Sequence, residues 1–290
     1  MPDILPGAEG FPRTEILSPI VHRVLGLNPS TFTGPGTNTY LLGVDQGEVT
    51  LIDTGSGVAD YITLLQEHLA AHGNPTLREI LLTHVHPDHI GGVAQLQALY
   101  PGIPVHKFPW PEADGPWPAC QPIADGDIFR GAGFTLRAIH SPGHAQDHIC
   151  FFLEEEQALF TGDVVLGVGT TVIPQHGGDL GDYLETLRQL LGQEVCRLYP
   201  GHGPVIEDGP AKIREYLDHR LKREQQVLAE LETGPKSVEG IVRSIYRDYP
   251  QHLYAAAGQS ILSHLNKLER ESRVERDHAD PPVFSMIQTT

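Results

Sequence analysis

A chain of 290 residues, 40% hydrophobic and 20% charged, has the composition of a folded protein with one large core, or one core and a small appended module. No stretch approaches the roughly 18 unbroken apolar residues of a membrane span. The opening MPDILPGAEGFPRTEIL lacks the marks of a secretory signal or a mitochondrial presequence, so a cytoplasmic location is expected.

The charge of −17 is unevenly placed: residues 1–210 hold 8 Lys and Arg against 25 Asp and Glu, and residues 211–290 hold 12 of each. Such a surface repels polyanions at long range, although bound metal would offset a few of the acids. The cysteines, at positions 120, 150 and 196, are odd in number and far apart, which predicts reduced thiols.

In chain order, β-rich runs at 38–44 and 48–55 flank Asp45-Gln46-Gly47, a hairpin signal. Residues 58–72 place Val58, Tyr61, Ile62, Leu65 and Leu69 on one helical face, and Gly73 stops the helix. Residues 78–83 form a short apolar strand running into a histidine-rich loop. Residues 108–122, with five prolines and both tryptophans, predict a loop without regular structure that either walls a cleft or packs on the body. Further strands are expected at 134–140, 148–154, 158–163 and 195–203, and a helix at 180–191.

From Asp208 the pattern turns helical. Pro210 suits the first turn of a long helix, a second helix follows Ser237, and a third carries Ile261, Leu262, Leu265 and Leu268. Residues 273–275 resemble a short strand, and residues 280–290 a loose tail. The expected division is a catalytic domain over 1–208 and a helical, winged-helix-like module over 209–290 that shapes substrate access or assembly.

The strongest chemical signal is Thr83-His84-Val85-His86-Pro87-Asp88-His89, four metal-ligating side chains within six residues after a strand. His84 and His86 can point the same way from an extended segment, while Asp88 and His89 lie further on and can face a second ion. His144 in Ser141-Pro142-Gly143-His144, Asp163 ending Phe160-Thr161-Gly162-Asp163, and His202 in Tyr199-Pro200-Gly201-His202 each follow a strand. Imidazoles with two carboxylates suit zinc, and iron or manganese also accept them. Two such ions about 3.5–4 Å apart can share a hydroxide that attacks a carbonyl carbon or a phosphorus. Asp53, ending Leu51-Ile52-Asp53, fits either an acceptor that orients a ligand histidine or a turn former. His148 fits a cleft-lining, orienting or packing role. Nothing in the sequence assigns chemistry to the other histidines.

These motifs resemble the metallo-β-lactamase superfamily, which implies an α/β fold, the αββα sandwich. The resemblance places His84, His86 and His144 at one metal, Asp88, His89 and His202 at the other, and Asp163 bridging both; Asp88 and Asp163 become the catalytic carboxylates. Antibiotic-destroying members carry a cysteine near the second metal, where this chain has Asp163, which disfavours β-lactam hydrolysis. Gly36-Thr37-Asn38-Thr39-Tyr40, residues 162–167, residues 200–206 and the helix around His219-Arg220 resemble more narrowly the lactamase-β-like branch, with its endoribonucleases and polyketide thioesterases.

The expectation is a dinuclear zinc hydrolase acting on a small ester, thioester or lactone. Single-stranded RNA cleavage is the alternative, and an iron-dependent persulfide dioxygenase ranks below it. A small-molecule substrate is the expected partner; single-stranded RNA and a homo-oligomer stay open. The neutral module lacks the basic face of a DNA reader.

Overall fold

The computed structural model describes residues 10–113 and 119–287. In order it contains β1 (Thr14–Ile16), β2 (Val21–Leu25), β3 (Asn38–Leu42), β4 (Glu48–Ile52), α1 (Ala59–Ala71), β5 (Thr76–Leu81), α2 (Pro87–Ile90), α3 (Val93–Leu99), β6 (Val105–Lys107), β7 (Gln121–Pro122) and β8 (Ile128–Gly131). Then follow β9 (Phe134–His140), β10 (Ile149–Leu153), β11 (Ala158–Gly162), α4 (Leu180–Leu191), β12 (Arg197–Pro200), α5 (Gly209–Glu232), β13 (Lys236–Ser237), α6 (Val238–Ile245), α7 (Tyr254–Arg270), β14 (Val274–Arg276) and β15 (Val283–Met286).

Contacts divide the described residues into two units. The first takes those of Met1–Ser141, Asp147–Thr171 and Gln193–Lys212; the second takes Pro142–Gln146, Val172–Gly192 and those of Ile213–Thr290.

In the first unit, a seven-stranded sheet runs β1 to β7 in chain order, antiparallel up to β4 and parallel from β4 onward. A five-stranded sheet is ordered β12-β11-β10-β9-β8, with β11 and β12 parallel. Alternating residues of the two sheets meet in one core. Val21, Tyr40, Leu42, Ile52 and Leu81 face Phe134, Leu136, Phe151, Phe160 and Tyr199. Each such fully buried side chain contributes about 1.5–3 kcal/mol of burial free energy. α1 buries Tyr61, Ile62, Leu65 and Leu69. Asp53, His84, Asp163 and His202 all lie just beyond strand ends, so rigid ladders hold the loop backbone that carries them. The expected hairpin is present, its turn a 3-10 helix at Val44–Gln46 between two left-handed glycines.

Two sequence expectations are corrected. Gln121 and Pro122, expected to be loop, pair with β6 as an edge strand, where a proline is tolerated because one strand side needs no donor. Trp110 is buried, and Trp117 lies outside the described residues.

In the second unit, Asp179 caps α4 by accepting from the Asp182 N–H at 3.0 Å, and it pairs with Arg270. Ser237 caps α6 in the same way at 3.2 Å. α5, α6 and α7 share a core of Val227, Leu231, Ile241, Val242, Ile261, Leu265 and Leu268 with Val274 and Phe284. Within the terminal segment expected to be loose, Val283–Met286 instead form β15, which pairs with both β13 and β14, while residues 288–290 lie outside the described residues. Phe284, fully buried, anchors it. Among the described residues no helix is long and apolar enough to cross a membrane.

Candidate active site

The chain leaves β5 through bends at Thr83 and Val85 to an extended His86, and Pro87 opens the single turn of α2, its fixed φ suited to a first helical position. This presents His84 and His86 from the loop and Asp88 and His89 from a helical turn. Their neighbour Asp53 sits at φ 59°, a left-handed conformation that costs a residue with a β-carbon free energy. Three hydrogen bonds hold it there. Its Oδ1 accepts from the Thr83 N–H and its Oδ2 from the Thr83 hydroxyl, both at 2.8 Å; Oδ2 also lies 2.7 Å from His89 Nδ1. Asp53 therefore fixes the His89 ring with Nε2 directed inward. That nitrogen is fully buried and faces the two site carboxylates.

His89 Nε2 lies 3.3 Å from Asp163 Oδ1 and 3.5 Å from Asp88 Oδ2. His202 Nε2 lies 3.2 Å from the same two oxygens. Both carboxylates thus stand between two imidazoles. Glycine makes room for them: a β-carbon on Gly201 would come within 2.8 Å of Asp163 Oδ1, and one on Gly162 within 2.6 Å of His148 Nε2. The turn bearing His202 is tied to β3, where the Asn38 amide donates to the carbonyls of Pro200 and Gly203, and the Tyr40 hydroxyl to that of Pro200.

The expected ligands fall into two groups among the described residues. Asp88, His89 and His202 form one, with ligand atoms within 4.8 Å of one another. His84, His86 and Asp163 belong to the other, and His144 lies in the second unit. His84 Nε2 is 2.9 Å from His86 Nδ1. His144, on the turn after β9, has its Nδ1 2.7 Å from the Val172 carbonyl oxygen, which leaves Nε2 as its ligand atom.

Sequence reading passed over Thr83 and left His148 open. Thr83 joins Asp53 to His84, its hydroxyl 3.0 Å from His84 Nδ1. His148 stacks on His84, with centroids 4.9 Å apart, and its Nε2 accepts from the Asp163 N–H at 3.1 Å. Thr83 is next to His84 in sequence, but neither residue carries a mark of its role until the chain folds.

Electrostatics follow from this crowding. Burial disfavours charge on His202, but Asp163 and Asp88 outweigh it and raise the imidazole to about 9. His89 is raised well above its usual value in spite of burial, by Asp88, Asp53 and Asp163. The same attractions outweigh desolvation to bring Asp88 down to about 2 and Asp163 well below the carboxylate range. His84, buried among other histidines, is lowered well below its usual value, with a contribution from His89. Protons on His89 and His202 thus balance the acids. A divalent cation can replace them, and the inward-directed Nε2 of His89 gives it a ligand already in place. The donor set fits a zinc-, iron- or manganese-type ion.

Residues 32–202 match the family described as the metallo-beta-lactamase superfamily, and residues 237–280 match the beta-lactamase associated winged helix domain. The chain is 45% identical over 231 residues to an atrochrysone carboxyl ACP thioesterase of Aspergillus novofumigatus, covering 79% of this chain and 68% of that one. It is 39% identical over 270 residues to a lactamase-like protein of Pestalotiopsis fici, covering 90% and 83%. A metallo-beta-lactamase family protein from Thermus thermophilus superposes with TM-score 0.78 at 27% identity, covering 94% of this chain and 100% of that one. The match across more than half of the sequence, with His and Asp clusters at the strand ends, settles kinship: the chain belongs to the metallo-β-lactamase superfamily, as a hydrolase whose fold implies divalent metal ions and which carries the C-terminal winged-helix module.

Proposed function

We propose that the protein is a dinuclear, zinc-dependent thioester hydrolase. The observation that carries this reading is the Asp163 carboxylate, one oxygen of which lies within 3.3 Å of both His89 and His202 while the residue also belongs to the group of His84 and His86. One carboxylate shared by two ligand sets suits two adjacent ions, and seven ligands exceed what one tetrahedral ion takes. His84, His86 and His144 would hold the first ion, Asp88, His89 and His202 the second, and Asp163 both. Bound there, such a pair supplies positive charge that polarises a carbonyl and acidifies a water near neutral pH.

The chain's own residues do the rest. Asp53 and Thr83 orient His89 and His84, so these rings present fixed nitrogens. His148 holds the Asp163 backbone. Asp88 is the more exposed of the two site acids, its side chain 25% accessible against 11% for Asp163. It is placed to take the proton released as water oxygen bonds to the thioester carbon, and to return it to the thiolate when the C–S bond breaks. The products are a carboxylic acid and a thiol.

Two considerations support an acyl thioester as substrate. Relatives at 45% and 42% identity are named atrochrysone carboxyl ACP thioesterases. The −17 carried by residues 1–210 disfavours RNA, whose capture relies on released counterions, with about 0.7 of log–log salt slope per neutralised phosphate. The test sets one zinc-loaded sample against a panel of acyl thioesters, esters and lactones and against labelled single-stranded RNA, over a range of salt. Thioester turnover that vanishes in Asp163→Ala is expected. RNA cleavage at physiological salt without carbonyl turnover reverses the assignment.

A further inference from the structure

Three histidines outside the clusters above converge on the outer side of the seven-stranded sheet. On β2, Val21 points into the core between the sheets, so His22 points to the opposite face. On α1 and its C-terminal cap, His68 and His72 are one turn apart, and α1 lays both toward that face. His22 and His68 are buried; His72 keeps 23% of its side chain accessible. His22 Nδ1 lies 3.0 Å from His68 Nε2. The His72 ring lies 4.8 Å from that of His22 and 4.7 Å from that of His68, between centroids. One ligand nitrogen from each residue falls within 4.8 Å of the others.

A tetrahedral zinc ion with nitrogens about 2.0–2.1 Å away holds them roughly 3.4 Å apart, so small ring rotations close this set. The Asp45 carboxylate lies 3.7 Å from His72 Nδ1 at the solvent edge, where it can serve as a fourth donor or guide a cation in. The site also sits at the C-terminus of α1, where the partial negative charge of the helix dipole favours a cation. Burial and neighbouring imidazoles hold His22 and His68 below their usual values, His68 at about 4, so both are neutral ligands at pH 7.

We propose that His22, His68 and His72 form a further metal site, for one imidazole-preferring first-row divalent cation such as zinc, which staples α1 to β2. The cation takes the place of the proton shared between His22 Nδ1 and His68 Nε2, which passes by solvent exchange to the other nitrogen of the donor ring, so both imidazoles stay neutral. The site is remote in role from turnover: it adds stability and touches no reacting atom.

The test compares full-length wild type with His72→Ala and, separately, His68→Gln. Each is saturated with zinc, freed of excess by gel filtration and assayed for zinc per chain, zinc-dependent thermal midpoint and hydrolysis. Each variant is expected to hold about one ion fewer than wild type and to lose part of the zinc-induced rise in midpoint, with turnover of wild type retained in His72→Ala. Equal zinc content and an equal zinc-induced rise in wild type and His72→Ala overturn the proposal; a cluster that only packs would lower the midpoint alike with and without zinc. A failure of the dinuclear reading would change the count shared by all three chains, leaving this difference intact.

Discussion

Two fully buried histidines, His89 in the first unit and His264 in the second, have opposite fates. His89 stands among Asp88, Asp53 and Asp163, which outweigh the burial that opposes its charge. His264, on α7, is lowered to about 3 by burial first and then by Arg220, Arg223 and Lys267; neither of its ring nitrogens has a hydrogen-bond partner among the described residues. Burial alone makes an imidazole neutral. The sign of the surrounding charge decides whether it becomes a proton-holding ligand or an inert filler.

The sharpest way to break the contrast is to remove the acid on which the histidines depend. Asp163→Ala should reduce turnover to background and lower metal content, read by steady-state assay and elemental analysis; wild-type rates with full metal would refute the bridging role. Asp53→Ala should be milder. With Asp163 in place but His89 no longer oriented, metal affinity should fall about 10–100-fold with residual activity, measurable by chelator competition.

A third expectation uses the proton as probe. His202 at about 9 is protonated at pH 7 in the metal-free protein, so metal uptake must expel that proton. Apparent affinity should therefore rise from pH 7 to about 9 and level off above. Calorimetry in buffers of different ionisation enthalpy counts the protons; no release at pH 7 would contradict the charged pair. By linkage, the stability that this pair lends the metal-free fold is full below about 6.5 and disappears as pH rises through about 9.

The smallest effect belongs to His264, where the sign is reversed. Its folded value lies below its unfolded one, so its contribution is full above about 6.5 and is lost as pH falls toward 3, when the unfolded chain takes up a proton that the buried ring refuses. His264→Leu should flatten the acid limb of the thermal-midpoint profile. An unchanged limb would mean that His264 is not buried neutral.

Much of the architecture was legible because its signals are local. The run from 134 to 140 reads as a strand and is one, and the helices at 180–191 and after Ser237 carry their own caps. β15 was not legible: its alternation over Val283–Met286 is too short to outweigh Pro281 and Pro282, and only pairing with β13 and β14 makes it a strand. The grouping of residues 172–192 with the C-terminal segment joins stretches too far apart in sequence for periodicity to reveal. In the site, the ligand types stand out because histidine and aspartate follow strands. The supports do not. A threonine hydroxyl at 83 and missing β-carbons at 162 and 201 have no chemical signature until partners 14 to 38 positions away arrive beside them. His22, His68 and His72 illustrate the same limit, since a strand and a helix had to meet before three unremarked residues became neighbours.

The left-handed backbone at Asp53 narrows the paths by which this enzyme can drift or be engineered. Glycine there would relieve conformational strain on the order of 1 kcal/mol. Asparagine tolerates the same twist and differs by only one atom in shape. Both nevertheless delete the negative oxygen that accepts from the Thr83 hydroxyl and faces His89, and the buried partners left unpaired cost about 1–3 kcal/mol each, which outweighs the relieved strain. Backbone preference and hydrogen bonding therefore pull in opposite directions at this position, and a thermostabilised library should keep Asp53 in spite of its left-handed backbone.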